Sequence, residues 1–111
     1  MKVFKFGGAS VKDAAGVRNV AELLQSVGYD NTCMIVSAMG KTTNALEEVV
    51  KRYFENEDFE KTINAVKLQH LDLAKELFEN ADEVSNEISQ FFDDIISFLR
   101  RNKSPNYSYV Y

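Results

Sequence analysis

The chain has 111 residues and a formal net charge of −4, so one domain at most is expected, with little more than ~60% of the unfolded surface buried and a modest core. Its apolar content of 45% is ordinary for a globular protein, and no apolar run approaches the ~20 residues of a membrane-spanning helix, so no membrane association is expected. Residues 1–54 carry seven Lys/Arg against five Asp/Glu, residues 55–99 three against twelve, and residues 100–111 three Lys/Arg; this acidic middle argues against a nucleic-acid partner, which needs a basic face, and reads as the solvated outside of a helical pair.

Met1 leads straight into Lys2-Val3-Phe4 with neither an apolar signal core nor a small-residue cleavage site, so secretion is not expected. Val3 to Phe6 reads as a short buried strand that Gly7-Gly8 ends. Asp13 is placed to cap a helix running to about Val27, with Val17, Val20, Leu24 and Val27 on one stripe at helical spacing. Gly28 supplies a stop, and Tyr29-Asp30-Asn31 a turn. Thr32-Cys33-Met34-Ile35-Val36 is a continuous apolar run, the pattern of a strand covered on both faces. Strand, helix and strand at this spacing make a βαβ unit with parallel strands, which brings the loops after both strands to one edge of the sheet. Cys33 is predicted to be an inert core thiol; as the only cysteine it excludes an internal disulfide and suits a reducing cytoplasm. One Cys and one His are too few for a zinc cluster, so no protein-held metal site is predicted, although carboxylates with a nucleotide would hold Mg²⁺.

A further helix is expected to start near Asn44, where Asn44 and Glu47 have capping-box spacing, and to run through Leu46, Val49, Val50 and Tyr53. Asp58 is placed to cap a long amphipathic helix with Phe59, Ile63, Val66, His70, Ala74 and Leu77 along one face. Asn80-Ala81-Asp82 breaks it, and a last helix carries Val84, Ile88, Phe91, Phe92, Ile95 and Leu99, with acidic residues at its start and Arg100-Arg101 at its end. These two helices are expected to form an antiparallel hairpin with Phe91-Phe92 in its core and His70 as a packing residue. Ser104-Pro105 ends the last helix, and Tyr107-Ser108-Tyr109-Val110-Tyr111 alternates like the start of a strand.

The chemistry is expected at the two loops. Lys5-Phe6-Gly7-Gly8-Ala9-Ser10 and Ser37-Ala38-Met39-Gly40-Lys41-Thr42-Thr43-Asn44 have one layout: a strand runs into glycine and then into a helix. Glycine lets backbone N–H groups approach an anion, the helix N-terminus favours negative charge, and lysine adds a full positive one. Two familiar phosphate motifs fail the spacing test. A P-loop ending in Gly40-Lys41-Thr42 requires glycine at position 35, which is Ile35, and a dinucleotide loop starting at Gly7 requires its last glycine where Lys12 stands.

Lys5-Phe6-Gly7-Gly8-Ala9-Ser10 resembles the KFGG(T/A)S opening of aspartate kinases, and Ser37-Ala38 with Thr43-Asn44 resembles their second signature, SAxxxxTN. Ala9 departs from the commoner threonine. The resemblance covers the whole chain and implies an α/β fold, the N-terminal βαβ part of an amino acid kinase (carbamate kinase-like) domain. On this reading the βαβ unit spans 1–43, an α-helical hairpin insertion lies within the helical region 44–104, and a further strand starts at 106–111. The chain would then be roughly the first quarter of such an enzyme, truncated before the rest of the kinase domain and the regulatory ACT domains.

The resemblance further implies residue roles. Lys5 would neutralise the transferred γ-phosphoryl group of ATP, and Gly7, Gly8 and Ser10 would bind the phosphates, with the amide near Gly40 lining the transfer path. Ser37, Ala38 and Thr43 would hold L-aspartate. ATP with Mg²⁺ and L-aspartate are the implied ligands, a homo-oligomer the implied assembly, and the cytoplasm the implied location. The chain alone is expected to be inactive and to hold no nucleotide. Another amino acid kinase, acting on glutamate or acetylglutamate, is the alternative among enzymes; a helical interaction module with glycines serving only as turns is the alternative outside them. From the residues alone, Ser37 and Thr43 read first as caps of backbone groups, and Lys41 as an exposed loop lysine ahead of a phosphate role.

Overall fold

A computed structural model describes residues 1–101, in the order β1 (Lys2–Phe6), α1 (Ala14–Val27), β2 (Thr32–Val36), α2 (Thr42–Phe54), α3 (Glu60–Leu77) and α4 (Asp82–Arg101). The helix end expected at Ser104-Pro105 and the strand expected at 106–111 lie outside the described residues. The polypeptide divides into two compact units, Met1–Thr42 and a second that starts at Thr43.

In the first unit β1 and β2 pair in parallel, with Lys2 opposite Thr32, Lys5 opposite Ile35 and Phe6 opposite Val36. The parallel βαβ arrangement is the one the sequence spacing predicts. Asp13 caps α1, its Oδ1 accepting from the Gly16 amide at 2.8 Å, which satisfies one of the helix's four orphan donors. Gly28 ends α1 at φ 82°. A lysine assists it: Lys2 Nζ donates to the carbonyls of Val27 at 3.0 Å and Gly28 at 3.2 Å, placing a cation where the helix dipole is negative.

Both strands were expected to be buried, and the structure corrects this. Only Phe6 of the two strands is buried, while Val3 is 58% exposed, Ile35 52% and Val36 50%. Cys33 is exposed as well, so it is not a core thiol. The physical reason is cover. Phe6 shares a cleft with Val20 and Leu23 of α1, and strand alternation turns Val3, Lys5, Cys33 and Ile35 to the opposite face. A single helix cannot cover both faces of a parallel sheet.

The second unit is helical. Lys67 Nζ meets Asp93 Oδ1 at 3.2 Å, the His70 ring lies 5.6 Å from that of Phe92, and Glu60 meets Arg100. Rising numbers on α3 thus pair with falling numbers on α4, which establishes the antiparallel hairpin. Its core is Val49 of α2, Ile63 of α3, and Ile96 and Leu99 of α4, with Tyr53, Phe59, Phe92 and Phe98 packed against them. Asp58 acts as expected, accepting from the Glu60 amide at 3.1 Å. His70 is a packing residue, its Nδ1 2.8 Å from the Val66 carbonyl. Phe91 is a correction: it is 69% exposed rather than in the core. A second correction concerns the start of α2, which begins at Thr42 instead of being capped by Asn44. The buried Thr42 begins the helix with its amide and its Oγ1 both donating to the Met39 carbonyl, at 3.1 and 2.6 Å.

Candidate functional site

The site is built where the first unit's two strands stop. Beyond the last strand pair the Ser37 amide still donates to the Phe6 carbonyl at 2.9 Å, so the chains leave the sheet side by side. The Gly40 amide then donates to the Gly8 carbonyl at 3.2 Å. At Gly8 the two loops come too close for any side chain: a Cβ there would lie 2.9 Å from the Ala38 carbonyl oxygen and 3.2 Å from that of Gly40. Gly40 itself has φ 55°, a left-handed conformation that favours glycine. Each glycine-bearing loop therefore fixes the other.

The structure places the sequence-predicted residues as follows. Lys5 is exposed on the open face of the sheet beside Ile35, and alternation along β2 carries Ser37 to that same face. Lys5 makes no hydrogen bond or ion pair among the described residues. The amides of Gly7 and Gly8 donate to no carbonyl among the described residues and remain available to an anion. The Ser10 amide is engaged with the Gly7 carbonyl at 3.0 Å, so Ser10 has only its exposed hydroxyl to offer. Ser37 and Ala38 are exposed at the end of β2. Lys5, Gly7, Gly8, Ser37 and Ala38 are thus gathered at one sheet edge. Thr43 is exposed in the first turn of α2 and belongs to the second unit. The Gly40 amide is engaged by the Gly8 carbonyl at 3.2 Å.

Two lysines take on structural meaning that their sequence context did not reveal. Lys2 caps α1. Lys12 lies against Gly40, whose would-be Cβ is 3.8 Å from the Lys12 Cα, and it lines an open cleft of about 420 Å³ together with Ser10, Asn19 and Val20. The signal for Lys12 was its place in the turn leading into α1, where a glycine loop would end. Among the described residues no group of three His, Cys, Asp or Glu is placed to hold a metal. Cations and backbone amides, rather than carboxylates, dominate this edge, and the arrangement suits an anionic ligand.

No protein-family model matches the chain. Among curated proteins it is similar to aspartokinase 2, chloroplastic, of Arabidopsis thaliana, with 38% identity over 79 residues, 68% of this chain and 14% of that relative. It is also similar to the bifunctional aspartokinase/homoserine dehydrogenase 2, chloroplastic, of the same plant, with 29% identity over 94 residues, 84% of this chain and 10% of the relative. The bifunctional enzyme of Daucus carota is 27% identical over 96 residues, 86% of this chain and 10% of the relative. The chain spans only 10% to 14% of the length of these relatives, less than the quarter expected from its motifs. With the two loops in place and these matches covering most of its length, the chain is aspartokinase-related.

Proposed function

We propose that this chain forms one wall of the phosphoryl-transfer site of an aspartate kinase built on the amino acid kinase fold. In the intact protein the reaction is ATP-dependent phosphorylation of L-aspartate. A β-carboxylate oxygen attacks the γ-phosphorus, the bond from phosphorus to the bridging β,γ-oxygen breaks, and aspartyl 4-phosphate and ADP result; this is the opening step of lysine, threonine and methionine synthesis. Such a transfer depends on positioning and on neutralising charge rather than on a protein nucleophile.

One observation carries the reading. The parallel register delivers both loops to the same edge, and Gly8 is seated against Ala38 and Gly40. That seating holds the free amides of Gly7 and Gly8 close to Ser37 and Ala38. Lys5 supplies the charge for the γ-phosphoryl group, and the Gly7 and Gly8 amides hold its oxygens with the Ser10 hydroxyl beside them. Ser37 and Ala38 bind aspartate, the role that the resemblance also implies for Thr43. Mg²⁺ would come with the nucleotide and would offset phosphate charge. A free exposed Cys33 suits a reducing compartment, and we place the reaction in the cytoplasm on that ground. No described helix is long and apolar enough to cross a membrane.

The experiment is Lys5→Ala in the intact protein, assayed for aspartate-dependent ADP release. Loss of one pre-positioned cation at a developing charge is expected to lower kcat by about 10²- to 10³-fold, with the circular dichroism spectrum unchanged. Turnover within a few-fold of the parent would sink the assignment.

A further inference from the structure

We propose that Lys12 is a third component of the phosphate site, binding the same polyphosphate as Lys5 from the α1 side of the loops; this rests on the functional reading above. Resemblance assigns Lys12 no role, and the sequence marks it only as the residue that breaks a dinucleotide pattern. The structure gives it a position. Gly8 is seated on Gly40, and Gly40 is seated on Lys12: the would-be Cβ of Gly40 lies 3.8 Å from the Lys12 Cα, Cβ and carbonyl oxygen. The backbone of residue 12 is therefore held against the second loop at the point where the two loops meet.

Its side chain is exposed, lines the open cleft beside Ser10, and makes no hydrogen bond or ion pair among the described residues. The adjacent carboxylate does not engage it, since Asp13 Oδ1 accepts from the Gly16 amide at 2.8 Å. The Val11 amide donates to the Gly8 carbonyl at 3.3 Å, so Lys12 stands one residue from the glycine loop, and its four-carbon stem spans roughly 6 Å. A triphosphate carries about four negative charges, and a loose transition state spreads them over several oxygens, so a further cation beside the loops adds to the charge that Lys5, the two amides and nucleotide-borne Mg²⁺ offset. The competing role is structural, with the Lys12 stem covering the apolar wall near Phe6 and Val20 while its amine stays in water.

The test uses the intact protein and inorganic tripolyphosphate, the phosphate portion of the co-substrate without its nucleoside. Binding is followed by calorimetry at low ionic strength, where such contacts are least screened. Lys12→Gln is expected to weaken binding about tenfold, the loss of one charge-assisted hydrogen bond, while Lys12→Arg retains affinity and Lys75→Gln, in the second unit, has no effect. Thermal unfolding of Lys12→Gln is expected to match the parent. A merely structural lysine would show the reverse: unchanged affinity and a lowered melting temperature, which overturns the proposal. If Lys5→Gln weakens binding and Lys12→Gln does not, the role of Lys12 fails and the phosphate loop stands. If neither variant alters binding, or the parent chain does not bind, the phosphate-site reading fails with it.

Discussion

Gly7 and Gly8 are neighbours and carry the same expected role, yet the structure separates them. A Cβ at Gly7 would meet nothing within 4 Å, whereas one at Gly8 would press on the carbonyl oxygens of Ala38 at 2.9 Å and Gly40 at 3.2 Å. Both obstacles are backbone atoms, so neither can swing aside. Gly8→Ala is therefore expected to push the loops apart and destabilise the first unit by about 1–3 kcal/mol, the usual cost of overpacking. Gly7→Ala should stay within about 0.5 kcal/mol of the parent. Amide hydrogen exchange at Ser37 and Gly40 checks this: faster exchange in Gly8→Ala alone is expected, and equal exchange in both variants would contradict the close approach. The gathering of Lys5, Gly7, Gly8, Ser37 and Ala38 at one sheet edge was legible in the sequence, because strand alternation and the parallel crossover follow from local pattern, whereas their proposed roles rest on the resemblance. The contact between Lys12 and Gly40 was not, since it joins residues far apart in the chain.

The helices show where periodicity stops being decisive. Helix α4 has apolar residues at 88, 91, 92, 95, 96, 98 and 99, a stripe wide enough to contain two overlapping faces. The sequence reading placed Val84, Ile88, Phe91, Phe92, Ile95 and Leu99 on one face; the structure buries Leu99 as expected together with Ile96, which that face left out, and leaves Phe91 exposed. What selects between them is the packing of α3, whose Ile63, Val66 and Ala74 are buried. The hairpin's far end is tied by a two-pronged pair, with Arg100 Nε at 2.5 Å from Glu60 Oε1 and Nη2 at 2.8 Å from Oε2. The hydrogen bond from Arg100, aided by its charge, holds the Glu60 carboxyl below its ordinary value of 4.5. A carboxylate whose folded pKa is depressed contributes stability that is fully present above the unfolded value and is lost as pH falls through the folded one. The stabilisation is thus expected at pH 7 and lost on acidification below about 4.5. Thermal melts of the parent and Glu60→Gln should differ at pH 7 and converge at pH 3; because the pair is exposed, the difference should also shrink in high salt. A difference that persists at pH 3 would assign the effect to something other than this pair.

Taken whole, the described residues leave a sheet of two strands with open edges and thin cover. Val3, Met34, Ile35 and Val36 are 58%, 42%, 52% and 50% exposed, and two-stranded sheets are not stable by themselves in water. Free edges and exposed apolar faces pair with other chains when nothing else covers them. Self-association of this chain is therefore expected, seen as a rising sedimentation coefficient with concentration. Ile35→Lys, which puts a charge on the open face, is expected to weaken it. A monomer at millimolar concentration would contradict the expectation.

Which segments form strands and helices, the parallel order of β1 and β2, the cap at Asp13 and the pairing of α3 with α4 all follow from period, turn chemistry and the length of the crossover. These are local properties, readable along the chain. Burial is not local. Cys33, Val3 and Ile35 carry the composition of a covered strand, and only the arrangement of elements in space shows that α1 lies on the side of Phe6 and leaves them exposed. The same holds for the two glycine loops: their residues announce an anion site, while the approach of Gly8 to Ala38 and Gly40 is a tertiary contact that the parallel register creates.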